Sequence, residues 1–223
     1  MYNIKENIDI IKTAIDDTHK NSNFAKCPPP KLVAVSKKQN EEKVIEALEA
    51  GHKYFGENRV QEAQERWALK TQQFKNLEIR LIGPLQTNKV KQALNLFDVI
   101  ETIDREKLAN EIANKFNESV KTKSVYIQIN TGSEIQKSGI EPLQSDSFIK
   151  YCIEDLRLPV LGLMCIPPLN EEPAMHFALL KKIADRNNLK ELSMGMSNDF
   201  KEAIKFGATS VRVGSAIFGN REK

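Results

Sequence analysis

The chain has 223 residues, 40% of them hydrophobic and 28% charged, which excludes a disordered or collagen-like chain and permits one sizeable core. Lysine and arginine number 33 against 30 aspartates and glutamates, a net charge of +3 too small and too interspersed for a nucleic-acid binder. No run approaches ~18 apolar residues and residues 1–6 lack a signal-peptide pattern, so a cytoplasmic protein with no transmembrane helix is expected.

Ile4, Ile8, Ile11 and Ile15 fall on one helical face. Cys27-Pro28-Pro29-Pro30 stops that helix, so residues 1–26 read as a helical extension. Residues 31–36 (KLVAVS) form a β-branched run and the first strand. Strand and helix then alternate. Helix 40–50 leads to strand 53–55, helix 58–73 to strand 78–82, and helix 87–95 to strand 98–100. Helix 104–117 leads to strand 124–130, helix 142–156 to strand 159–164, and helix 172–187 to strand 191–194. Helix 199–206 precedes the last strand, 210–213. Such alternation implies a parallel sheet with right-handed crossovers. Eight units predict a closed (β/α)8 TIM barrel over 31–219, within a single domain spanning 1–223. An open doubly wound sheet is the competitor, but it usually has a glycine-rich turn where this chain has Ser36-Lys37-Lys38.

Barrel sites form at the carboxyl ends of the strands. Polar or glycine-bearing turns fall there: Ser36-Lys37, Gly56-Glu57-Asn58-Arg59, Gly83-Pro84, Glu101-Thr102, Asn130-Thr131-Gly132, Ser197-Asn198-Asp199 and Gly214-Ser215. The last two follow strands 7 and 8, where barrels often bind phosphate; singly they read rather as a helix cap and a turn, but together, on adjacent strands of one barrel, they favour phosphate. Lys37 shares strand parity with Val33 and Val35, and Lys38 with Leu32, Ala34 and Ser36. Periodicity does not say which set faces inward. A desolvated lysine can form a Schiff base, so a lysine beside a phosphate pocket suggests an aldolase or a pyridoxal phosphate protein.

The three cysteines are far apart, and the three histidines have no metal-ligand spacing. Cys165 reads as packing rather than as a nucleophile. Gln61, Glu62 and Glu65 read as a solvated helix face. Loop 131–139 reads as mobile, with Lys137 as a mobile loop charge or a second site for an aldehyde or phosphate.

Six ordered motifs resemble the pyridoxal phosphate homeostasis protein family. They are Val35-Ser36-Lys37, FGENRVQE (55–62), IGPLQTNK (82–89), Lys137-Ser138-Gly139, GMSND (195–199) and RVGSAIFG (212–219). These proteins are similar to the N-terminal barrel domain of alanine racemase. The resemblance implies that Lys37 holds pyridoxal 5'-phosphate (PLP) as a Schiff base and that Arg212 faces the pyridine nitrogen. It implies that Ser197, Gly214 and Ser215 hold the phosphate, with Asn58 beside the cofactor. The chain departs from the family's usual pattern in three places. Ser215 stands where threonine is common, Lys38-Gln39-Asn40 where Thr-Lys-Pro is common, and Asn198 where alanine is common.

An arginine at the ring nitrogen keeps it unprotonated and makes the ring a poor electron sink. The chain ends four residues after Gly219, so the second acid/base domain of alanine racemase is expected to be absent. The implied role is intracellular PLP (vitamin B6) homeostasis without substantial turnover. The alternatives are a weak racemase-like enzyme and a cofactor-free aldolase. Implied partners are PLP and, as recipients, PLP-dependent apo-enzymes, with no nucleic acid or membrane. The chain is expected to be a monomer or weak dimer.

Overall fold

The computed structural model describes residues 3–119, 121–134 and 136–219. The expected domain limits of 1 and 223 lie outside these residues, as does Ile135 of the 131–139 loop. Helix α1 (Ile4–Lys20) starts at Asn3, whose side chain accepts the Glu6 amide, and buries the four isoleucines read from the sequence.

The barrel begins at β1 (Lys31–Val35), followed by α2 (Glu41–Glu49) and β2 (Tyr54–Glu57). Helices α3 (Val60–Trp67) and α4 (Lys70–Gln73) lead to β3 (Glu78–Leu81). Then come α5 (Val90–Leu96), β4 (Val99–Ile103), α6 (Glu106–Phe116), β5 (Ser124–Ile129) and α7 (Ser145–Lys150). The chain finishes with β6 (Val160–Cys165), α8 (Pro173–Arg186), β7 (Glu191–Ser193), α9 (Phe200–Lys205), β8 (Ser210–Val213) and α10 (Ser215–Phe218). The strands pair in parallel in chain order, and β8 closes on β1 with Val33 opposite Arg212. The sheet is therefore the closed eight-stranded barrel, not the open one.

Several bounds differ from the sequence reading. The single helix expected over 58–73 is two. Lys70 Nζ takes the Arg66 carbonyl at 2.8 Å and Thr71 Oγ1 takes that of Trp67 at 3.0 Å, so side chains compete with the helical ladder at the break. The helix expected over 142–156 opens with a tight turn at Pro142–Gln144 and ends in a wide one at Tyr151–Asp155, where Leu156 N reaches Tyr151 O. Strand β4 runs three residues further than expected, through Glu101, which is fully buried against Arg80. Helix α10 is a single turn that the sequence reading missed.

The main apolar core lies between barrel and helices and contains Leu32, Ala34, Phe55, Trp67 and the α1 isoleucines. Inside the barrel, Val99, Tyr126 and Met164 form a small separate cluster. A Cβ on Gly56 would meet Val33 Cγ1 at 3.1 Å and Ile82 Cδ1 at 2.9 Å, so Val33 points inward. That settles the parity question: Val33, Val35 and Lys37 face inward, while Leu32 and Ala34 face the helices.

Candidate functional site

Beside the cluster of Val99, Tyr126 and Met164, at the same level of the strands, the barrel interior is charged. Arg80 on β3 donates to Glu101 Oε1 at 2.8 Å and to Glu78 at 2.6 Å. Ser193 on β7 donates to Glu101 Oε2 at 2.6 Å, and Arg212 on β8 donates to Ser193 Oγ at 2.6 Å. Arg212 Nη2 also donates to the Cys165 carbonyl at 2.8 Å. Buried charges must be paired and hydrogen-bonded, and this chain meets that condition. It holds the Arg212 guanidinium, only 3% exposed, at the floor of the cavity above.

That cavity, about 680 Å³, opens at the carboxyl rim. Lys37, Asn58, Ser197, Arg212, Gly214 and Ser215 all line it, so the structure brings together every site residue expected from the sequence. Lys37 is half-buried. Lys38 is exposed, outside the cavity, with φ of 56°. Val35 and Ile82 form apolar wall, and Ile166, Pro167, Pro168 and Leu169 after β6 form one side. Gln39 and Glu171 also line it and were missed, because nothing in their local spacing marks them.

Ser197 does not cap α9, which starts three residues later. Its hydroxyl lies 3.1 Å from Ser215 Oγ and 3.4 Å from the Gly214 amide, so three donors converge from the loops after β7 and β8. Asp199 accepts the Met196 amide at 2.5 Å and fixes the first of these loops. A Cβ on Gly214 would sit 3.3 Å from Val35 Cβ and O, so glycine lets the backbone approach. Asn7 of α1 donates to Ile217 O at 2.8 Å and braces α10 from below.

Asn58 Oδ1 is buried without a hydrogen-bond partner at the cavity wall. Orphaned buried polar atoms are rare and call for a ligand or water. Converging hydroxyl and amide donors, a permanent cation, a half-buried lysine and this orphan fit a phosphorylated aromatic aldehyde such as PLP.

Glu57 and Arg66, also absent from the expected site, lie behind the Lys37 turn. Glu57 Oε1 accepts from Ser36 Oγ at 2.7 Å and from Trp67 Nε1 at 3.2 Å. Burial raises its carboxyl pKa, against the opposing pull of the Arg66 cation. Lys137 pairs with Glu134 at 2.5 Å and donates to the Pro167 carbonyl at 3.3 Å, tying its loop to the cavity rim. Cys165 is wholly buried, which pushes its thiol up to about 12 and suits packing rather than nucleophilic chemistry. Gln61 and Glu65 are exposed and Glu62 half-buried, as a solvated helix face requires. No described helix is long and apolar enough to cross a membrane.

A closed parallel barrel with an anion cradle after β7 and β8 defines a class, and the family model "Alanine racemase, N-terminal domain" matches residues 3–222. A "Pyridoxal phosphate homeostasis protein" of Vibrio cholerae is 36% identical over 100% of this chain and 98% of its own. One of Aquifex aeolicus is 40% identical over 86% of this chain and 87% of its own. The chain belongs to the pyridoxal phosphate homeostasis protein family. Among solved structures, PipY of Synechococcus elongatus is 30% identical, covering 97% of this chain and 100% of its own. Its TM-score is 0.85 without PLP and 0.81 with PLP bound. An alanine racemase of Clostridium difficile, 15% identical, shares the fold at a TM-score of 0.74 over 99% of this chain and 57% of its own.

Proposed function

We propose that this protein binds PLP in the rim cavity, holds it as a Schiff base on Lys37, and acts in intracellular PLP homeostasis without substantial turnover. The observation that carries the reading is the convergence of Lys37, Asn58, Ser197, Arg212, Gly214 and Ser215 on one cavity. The names of the relatives and the PLP-bound PipY structure support it. PLP supplies an aldehyde that an amine captures, a phosphate and an aromatic nitrogen.

The chain's own groups have distinct tasks in this reading. The Ser197 and Ser215 hydroxyls and the Gly214 amide bind the phosphate. Asn58 orients the ring from the side. The Arg212 guanidinium has only N–H donors, so it donates a hydrogen bond to the ring nitrogen. That leaves the ring a weak electron sink and disfavours chemistry at a bound amino acid. The whole of 1–223 acts as one domain, a monomer or weak dimer in the cytoplasm, and PLP-dependent apo-enzymes are the candidate recipients.

The test is borohydride reduction of the PLP-loaded protein followed by peptide mass spectrometry. The expected adduct lies on Lys37. An adduct on Lys38 alone, or none on any lysine, overturns the assignment. Exchange of the α-proton of added amino acids in deuterated buffer at catalytic rates would overturn the absence of turnover.

A further inference from the structure

We infer that Arg66 is a positioning residue for Lys37, acting from outside the barrel through the turn that carries the lysine. This rests on the reading of Lys37 as the covalent anchor. Arg66 lies on α3, its side chain only 14% exposed. Nη1 donates to the Ser36 carbonyl, and Nη2 donates to the Gln39 carbonyl at 2.8 Å. These two carbonyls bracket Lys37 and Lys38. The turn is also closed from within, by Gln39 N to Ser36 O at 3.1 Å.

The turn needs this help. Lys38 has φ of 56°, a left-handed conformation that residues with a Cβ adopt reluctantly. Arg66 is itself held, by Glu57 Oε1 at 3.2 Å and by Glu41 Oε2 at 4.0 Å. Glu57 also receives the Ser36 hydroxyl, so both the main chain and the side chain of Ser36 are fixed next to Lys37. The geometry needs a planar fork. A guanidinium reaches two carbonyls and a carboxylate at once, whereas an ammonium is a point donor on a flexible stem.

The consequence is kinetic. In Schiff-base formation the neutral Lys37 amine adds to the aldehyde carbon, a C=N bond forms, and the carbonyl oxygen leaves as water. The phosphate cradle lies on the loops after β7 and β8, and the Lys37 turn follows the neighbouring strand β1. The amine therefore meets the aldehyde in register only if both ends are fixed, and small misplacements cost large factors in rate.

The experiment mixes PLP with cofactor-free protein and follows the Schiff-base absorbance band over a range of pH. Wild type is compared with Arg66→Ala, Arg66→Lys and Lys37→Ala. Both Arg66 variants are expected to form the band about tenfold to hundredfold more slowly and to shift the pH at which it titrates. Millimolar guanidinium is expected to restore part of the rate in Arg66→Ala and none in Arg66→Lys. If Arg66→Ala fails to fold, Arg66→Lys carries the test. Folded Arg66 variants with wild-type rates and wild-type pH profiles overturn the inference, even if their melting temperature falls. Lys37→Ala separates the two claims: a band that survives in it overturns the anchor reading and not merely the role of Arg66.

Discussion

Arg212 and Ser193, on adjacent strands β8 and β7, meet at 2.6 Å inside the barrel, and Ser193 passes the contact on to Glu101 at 2.6 Å. One hydroxyl thus bridges a cation and a carboxylate, both almost wholly out of water. Ser193→Ala removes both bonds and leaves each charge short of a partner. The expected loss is about 3 kcal/mol, since hydrogen bonds to buried charged groups are among the costliest to break. Urea unfolding checks this, as a lowered midpoint with an unchanged slope.

The donors of the phosphate cradle come from two loops, and their hydroxyls touch at 3.1 Å. Ser197→Ala and Ser215→Ala should each weaken PLP retention by about tenfold, given ~1.5 kcal/mol for a hydrogen bond to a charged group. The double variant should lose more than either alone. Cofactor remaining after dialysis is the readout, and full retention in the double variant would mean that the phosphate sits elsewhere.

Gly83, in the motif Ile82-Gly83-Pro84, packs against the backbone of Asn58. A Cβ there would lie 2.3 Å from Asn58 O and 2.7 Å from its Cα. Gly83→Ala should therefore push Asn58 off the cavity wall. We expect a loss of about 1–3 kcal/mol from overpacking, together with weaker PLP binding. Thermal unfolding with and without PLP separates the two effects, because ligand binding adds its own stabilisation.

At the foot of the barrel His52 is buried, its Nε2 on the Tyr54 carbonyl at 2.9 Å and its ring edge-on to Phe55 at 5.2 Å. Burial, and then the Lys12 charge, lower its pKa from 6.5 to about 4. The folded state thus keeps His52 neutral where the unfolded chain takes up a proton. Its stabilising contribution is full above pH 6.5 and is lost as pH falls toward about 4, a difference of about 3 kcal/mol. Melting temperature should fall less steeply between these pH values in His52→Gln than in wild type. Parallel curves would assign the acid sensitivity to other groups.

The three cysteines should divide by burial. Cys27 is exposed, whereas burial pushes both Cys152 and Cys165 up to about 12. A thiol reagent at neutral pH should label Cys27 at once and the other two only after unfolding. Rapid labelling of Cys165 in the native protein would mean that the barrel opens at that strand.

Much of the site was legible because barrel topology converts sequence positions into one place. Any turn after a strand lands on one rim, so Ser197, Gly214 and Asn58 needed only the strand count to be brought together. Glu101 was not legible as strand. It reads as a polar stop after Ile100 and becomes an interior residue only when Arg80 and Ser193 arrive from β3 and β7. Glu57 and Arg66 escaped for a similar reason: a lone arginine on an amphipathic helix looks solvated until the carbonyls it serves are known. The break before Lys70 depends on side chains that take backbone carbonyls, which periodicity does not register.

By itself the sequence determined the eight βα units, the amphipathic α1 and the residue types at the rim. These depend on local periods of two and 3.6, which are written in neighbouring residues. Only the tertiary structure decided that Lys37, and not Lys38, enters the cavity. Strand alternation sorts side chains into two sets, but the closure of β8 on β1 makes one set the inside. It also decided that the interior carries the Arg80–Glu101–Ser193–Arg212 chain, since those four residues come from four different strands and meet only in the closed barrel.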